Sequence, residues 1–265
     1  MKMIVALDPA APNNDAFAAV QALTRGESDI EVCGVFIEDA DLLRYSSLPI
    51  ACEVCVASGV IGAFSPVQLE SQFRARATRI RATFELAARD IASHSTPWTT
   101  SFNVRRGAVV DELRAAASED TDLLVVSRCR ASAGQRAWFG AAVADLLADP
   151  PCSLLFVQEP WRSGECVLVA SIDAPHAEAP VTRIASRIAR SEHLRLHELD
   201  YNSGERNASQ MFGAEPLLDT DNLIRSCLRL RARVLVLADS PELRQQVDLV
   251  QLIDRVPASL LLVQL

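Results

Sequence analysis

The sequence predicts an α/β protein made of two tandem, doubly wound parallel-sheet domains, and three observations carry that expectation. Short apolar runs alternate with segments of helical periodicity along the chain, the pattern of strands crossed by helices. The runs stay apolar nearly throughout, as in IEVCGVFI at 30–37, which is how strands buried on both faces read. The pattern also occurs twice. CSLLFVQ at 152–158 aligns without gaps with ASLLLVQ at 258–264, each after a proline, Pro151 or Pro257, and after a helix carrying Leu146-Leu147 or Leu252-Ile253.

The first copy opens with Lys2 to Asp8, a short apolar run ending in an acid. Pro9, Pro12 and Asn13 then make a turn into a helix over Ala16 to Leu23, stopped by Gly26. After the second strand, Ile30 to Ile37, comes an irregular insertion from Glu38 to Ser65. Its stretch DLLRYSSLPIACEVCVASGVIGAF is too apolar for a free loop, so it is expected to cover something. Ser65, Pro66 and Gln68 supply an N-cap, a proline at N1 and a glutamine at N3. Leu69, Phe73, Ala77, Ile80, Phe84, Ala87 and Ile91 then recur at three and four residues, predicting one long helix. Trp98 to Val104 reads as the third strand, Ala108 to Ser118 as a helix and Leu123 to Ser127 as the fourth strand. Ala141 to Ala148 is helical until Pro150-Pro151 stops it, and Ser153 to Gln158 is the fifth strand.

The second copy restarts at Cys166, where CVLVASIDAPHAEAPVTRIASRIA parallels KMIVALDPAAPNNDAFAAVQAL. It is shorter. After a strand at His193 to Leu199 the polar DYNSGERNASQMFGAEP stands where the first copy has its long helix, so the missing element is expected to be the counterpart of Ser65 to Ile91. The linker EPWRSGE at 159–165 divides the chain into domains 1–159 and 165–265. The copies are expected to pack as an intrachain pseudo-dimer through Leu154 to Val157 and Leu260 to Val263, because an open last strand would leave an apolar edge exposed.

Composition narrows the function. The 265 residues are 49% hydrophobic, enough for a sizeable core, yet no apolar run reaches the roughly 20 residues of a membrane-spanning helix. The first apolar stretch is too short for a signal peptide, so a cytoplasmic, membrane-free protein is expected. Seven cysteines at irregular spacing read as reduced thiols. A net charge of −8, with arginines interleaved with acids, disfavours nucleic acid as a partner. Lys2 is the only lysine and follows no glycine loop, which excludes a Walker-type lysine and a lysine Schiff base.

In a doubly wound sheet, ligands sit beyond the carboxyl ends of the strands at the switch point. Here that edge holds Asp8, the segment from Phe36 to Asp39 and the loop after Ser127, VVSRCRASAGQRAWFGAAV in context. With GVFIEDADLLRYSSLP, VRRGAVVDELRAAASEDTDLLVVS and PPCSLLFVQ, the chain resembles the universal stress protein family over nearly its whole length, as two tandem copies. The resemblance implies a Rossmann-like, nucleotide-binding fold and a stress-response role. Members of that family that bind ATP carry Gly-x-x-Gly, nine residues, then Gly and Ser or Thr after the fourth strand. Ser127 and Arg130 occupy the first two glycine positions, Gly140 keeps the third and Ala141 replaces the hydroxyl residue. A phosphate cradle needs close backbone approach, often at positive φ, where a non-glycine residue costs roughly 1–2 kcal/mol. A degenerate site is therefore expected, with no cofactor and a non-catalytic role as the first reading. Weak ATP binding stays open, because a helix after Gly140 would offer free N–H groups and Arg128, Arg130 and Arg136 could meet a phosphate. Asp8 matches the family's acid near adenine and ribose, or caps a turn. Phe36 falls where a backbone meets adenine, or is core.

Other constellations carry less. Cys52 and Cys55 form a Cys-x-x-Cys without a completing pair or histidine. His193 and His197 would lie about 13 Å apart in a strand, too far to share a metal. Asp111 and Glu112 suit a helix N-terminus. No Gly-x-Gly-x-x-Gly follows a first strand and no Gly-x-Ser-x-Gly is present. In the second copy, LADSPELRQQVDLV places Ser240 as N-cap and Pro241 at N1, leaving no room for a triphosphate, and Asp173, the counterpart of Asp8, is given no ligand. Three functions follow as expectations: a stress or regulatory module without catalysis, an adenine-nucleotide switch or slow ATPase using Asp8, Arg130 and Gly140, and a protein-interaction scaffold built on the insertion. Further association of chains is left open.

Overall fold

The computed structural model describes all residues except 8–12, 55–57, 64, 95–97, 118–119, 129–136, 172–177 and 201–217. The chain begins with β1 (Lys2–Ala6), α1 (Asn14–Thr24) and β2 (Ile30–Asp39). The insertion follows as α2 (Ala40–Ser46) and a hairpin of β3 (Cys52–Val54) and β4 (Ile61–Ala63). Then come α3 (Pro66–His94), β5 (Trp98–Gly107), α4 (Val109–Ala116), β6 (Leu123–Arg128), α5 (Ala137–Ala148) and β7 (Ser153–Gln158). The second half comprises β8 (Cys166–Ser171), α6 (Glu178–Ser191), β9 (Arg195–Asp200), α7 (Thr220–Leu230), β10 (Ala232–Asp239), α8 (Pro241–Gln246), α9 (Leu249–Arg255) and β11 (Ser259–Gln264).

Nine strands form one sheet in the order β5-β2-β1-β6-β7-β11-β10-β8-β9. Every neighbouring pair is parallel except β7 with β11, which is antiparallel. The α/β expectation therefore holds, and the inner strands β1, β2, β6, β7, β11, β10 and β8 carry the buried apolar runs while β5 and β9 form the outer edges. Side chains alternate between two cores. Val5, Val125 and Leu155 point into one, with Phe17 of α1, Phe73 and Phe84 of α3 and Ile188 of α6. Ile4, Leu124 and Leu154 point into the other, with Leu113 of α4, Leu147 of α5, Leu223 of α7 and Leu252 of α9.

The β7–β11 register is self-complementary. Leu155 lies opposite Leu261, Leu154 opposite Leu262 and Phe156 opposite Leu260. In the gapless alignment of 152–158 with 258–264, Leu155 and Leu261 are equivalent residues, and the other two pairs exchange under the same equivalence. This is the pattern of a two-fold axis, in which residue i meets j and j meets i. Two side-chain bonds repeat it: Gln158 N donates to Ser259 Oγ at 2.9 Å, and Gln264 N to Ser153 Oγ at 3.1 Å. Helix α1 packs on α6 on one face and α5 on α9 on the other. The linker is anchored rather than free. Trp161 is 1% exposed and its backbone N–H donates to Asp15 Oδ1 at 2.8 Å. Gly164 has φ 107°, and a Cβ there would stand 2.6 Å from Arg233 N, so only glycine fits.

Several boundaries move for local reasons. Strand β5 runs on to Gly107 because it pairs with β2 along its whole length, ending at Asp39 opposite Gly107. Strand β9 starts at Arg195, since His193 takes the left-handed φ of 54° in the turn before it. The insertion holds two elements that its irregular sequence hides. Asp39 Oδ1 caps α2, accepting from Asp41 N at 2.9 Å and Leu42 N at 3.2 Å. Leu42 and Leu43 pack against the core. Among the described residues, the insertion's other large apolar side chains are exposed: Ile50 is 89% exposed, and Tyr45, Leu48, Val54, Val60 and Ile61 are exposed as well. The expectation of an absent long helix in the second half falls on 201–217, outside the described residues. Among the described residues that half has four strands in the sheet, against five in the first.

Candidate functional site

The switch point of the first half is the carboxyl end of β1, which pairs with β2 on one side and β6 on the other. Leu7 N donates to Val35 O at 2.9 Å, and Ala6 lies opposite Val126. Phe36 and Ser127 thus flank Leu7, and strand alternation points all three side chains to the α1 and α3 face. The Phe36 ring is fully buried and meets Phe73 edge-on at 6.4 Å between centroids, so only its backbone lies at the edge. Ser127 is 2% exposed, and its Oγ has no hydrogen-bond partner among the described residues. Trp161 Nε1, in the same core, is also buried without a partner among them. Such atoms are rare and costly in a folded protein, and both lie on the α1 and α3 side of the sheet. Asp8 and Arg130 lie outside the described residues. Gly140 and Ala141 are inside α5, which starts at Ala137 rather than Ala141. The free N–H groups of this helix therefore precede Gly140 instead of following it.

Sequence reasoning missed the ion-pair cluster that closes this edge beside β2. Glu38, with a side chain 10% exposed, accepts from Arg106 Nε at 2.8 Å and Nη2 at 2.7 Å, and Arg106 Nη1 reaches Glu70 at 3.2 Å. The hydrogen bond to Glu38 raises the Arg106 pKa. The two residues are direct register partners across β2 and β5, a signal available only once the pairing is known. The second half is built differently. Strand β10 turns straight into α8, with Ser240 Oγ accepting from Leu243 N at 3.2 Å and Pro241 in the first turn. Asp173 lies outside the described residues.

An open cleft of about 680 Å³ separates the end of α5 from α7, α8 and α9. No residue predicted for the nucleotide site lines it. Its arginine, Arg244, is already held by Asp239 at 2.7 and 2.8 Å and by Leu147 O at 2.6 Å, tying the halves together. Its acids are occupied as well: Asp219 and Asp248 cap α7 and α9, and Asp221 pairs with Arg255 at 2.8 Å. Among the described residues no group of three or more His, Cys, Asp or Glu could hold a metal, and no helix is long and apolar enough to cross a membrane. Cys52 is exposed in β3, and Cys55 lies outside the described residues, so the Cys-x-x-Cys geometry is not described.

No protein-family model and no curated protein matches the sequence. Solved structures do. A protein of Pseudomonas aeruginosa classed as a universal stress protein superposes with a TM-score of 0.62 at 13% identity, covering 99% of this chain and 92% of its own. A universal stress protein of Archaeoglobus fulgidus gives 0.61 at 11% identity, covering 99% and 96%. A Pseudomonas aeruginosa protein of unknown function gives 0.60 at 13%, covering 99% and 92%. At these identities the likeness concerns the fold: the chain has the Rossmann-like α/β architecture seen in universal stress proteins.

Proposed function

We propose that the chain is a non-catalytic stress-response or regulatory protein of the universal stress type, acting in the cytoplasm, with its two copies fused as an intrachain pseudo-dimer and its ATP-binding motif largely lost. The self-complementary meeting of Leu155 with Leu261 supports the paired copies. The carrying observation for the lost nucleotide site is the Ser240-capped turn from β10 into α8, which fills the second half's loop position, together with Ser127, Arg130 and Ala141 in the first. Isothermal titration with ATP and magnesium tests it: no heat is expected at millimolar nucleotide, and saturable binding would overturn it.

Two other readings each have an observation in their favour. The unpartnered Ser127 Oγ and the nine-residue spacing favour an adenine-nucleotide switch or slow ATPase in the first half, with Asp8, Arg130 and Gly140 as its residues. The exposed apolar residues of the insertion favour a protein-interaction scaffold. Shortening the hairpin would then change the partners recovered with the protein, and an unchanged set would remove that reading.

A further inference from the structure

The two outer edges of the nine-stranded sheet are protected very differently. Strand β9 is six residues long and carries Arg195, Glu198 and Asp200. Strand β5 is ten residues long, and Trp98 to Val104 contains no charge, proline or glycine. Its pairing with β2 runs from Ile30–Trp98 to Asp39–Gly107 without a bulge. Proteins normally guard such an edge with charges, proline, bulges or short length. None of these is present over the first seven residues of β5. Thr99, Thr100, Ser101 and Asn103 are exposed, and Val104 is 41% exposed. Among the described residues no backbone or side-chain group closes the outer ladder of this strand.

The surroundings state what chemistry fits. On the α3 face, Phe102 and Val104 follow each other at strand spacing. The Arg81 guanidinium lies over the Phe102 ring, 4.9 Å from its centroid, and has no carboxylate partner among the described residues. The arginines at the far end of the strand differ: Arg105 is bound by Glu112, and Arg106 by Glu38 and Glu70. Arg74, seven residues before Arg81, has only a 3.7 Å contact with Glu70. On the other face Thr99, Ser101 and Asn103 are small and polar, and impose little selection.

We infer that the β5 edge is a docking site for an extended segment of a partner protein, which adds as a strand and carries a carboxylate beside Phe102, within reach of Arg81, and an apolar side chain two residues away beside Val104. Main-chain bonds supply affinity in this mode, and the alternate side chains supply selection. A second copy fits less well. Antiparallel pairing of two β5 edges would bring two Arg81 side chains over neighbouring rings, with like charges opposed. This inference is independent of nucleotide binding at the switch point.

The test uses the full chain and two end-capped, fluorescein-labelled heptapeptides of alternating threonine and valine, one with a central glutamate and one with a central lysine. The glutamate peptide is expected to bind roughly tenfold tighter by anisotropy, the size of one modest charge pair. It should slow hydrogen exchange at 98–104. Arg81→Glu, with unchanged circular dichroism, should reverse the preference. Equal binding of both peptides, no binding, no protection of β5, an unmoved preference in Arg81→Glu, or β5-mediated self-association of the protein would each overturn the inference.

Discussion

The first half of the sheet spends residues 40–108 between its second strand and α4, while the second half passes from β9 to α7 through 201–219. What both halves retain is the strand at their meeting line. Serine and glutamine stand at equivalent places in β7 and β11, and the leucines between them sit in self-complementary register. What differs is the outer edge and the connection that follows β6 in the first half and β10 in the second. At the joining strands, changing one leucine alters packing on both sides of the contact, because the interior is close-packed.

The most direct way to break the comparison is at its axis. Leu155→Ala and Leu261→Ala, both fully or almost fully buried, should each cost about 3 kcal/mol in urea unfolding. The two costs should agree within about 1 kcal/mol, and the double variant should lose less than their sum because the residues touch. Widely different costs would show that the register resemblance has no energetic counterpart. Next come the arginines that close one carboxyl edge in each half. Arg244→Met strands Asp239, whose side chain is 9% exposed, and frees Leu147 O, for an expected loss of about 2–3 kcal/mol. Arg106→Met strands Glu38, but Arg106 is itself half in solvent, so about 1–2 kcal/mol is expected. The serines sharpen the comparison further. Ser259→Ala leaves a buried Gln158 N–H unpaired and should cost about 1 kcal/mol, whereas Ser153→Ala at the exposed equivalent should cost under about 0.5 kcal/mol.

A further effect appears only in alkali. Burial pushes the Cys152 thiol from its ordinary 9.0 up to about 11 and the Cys227 thiol up to about 12. Each folded state holds its proton where the unfolded chain has lost it, so the stabilisation is complete below pH 9.0 and is lost as pH rises toward those values. Stability measured from pH 8 to 11 should therefore fall, and Cys227→Ala should flatten part of that fall. The same burial keeps both thiols slow toward iodoacetamide in the native protein at neutral pH, while the exposed Cys52 reacts.

Much of the fold was legible because its signals are local. Unbroken apolar strands, the Ser65 to Gln68 helix start and the prolines before the last strands each state a backbone preference that the tertiary structure keeps. The candidate site was legible only in part. Ser127 and Phe36 came from the family resemblance, but the Glu38–Arg106 pair depends on which residues face each other across two strands. Trp161 sits in a linker that the sequence marks only as a domain boundary, and its backbone N–H is held by Asp15 of a distant helix. The insertion divides in a way that apolar content alone does not show: Leu42 and Leu43 of α2 pack on the core, whereas the described apolar residues of the hairpin are exposed.

The central claim is that the fold persists while nucleotide binding does not. Native mass spectrometry of the freshly purified chain tests it most directly. The account predicts the mass of the polypeptide alone, with no adenine nucleotide retained under gentle ionisation. A stoichiometric added mass matching ATP or another adenine nucleotide, lost when Ser127 and Gly140 are replaced, would contradict it.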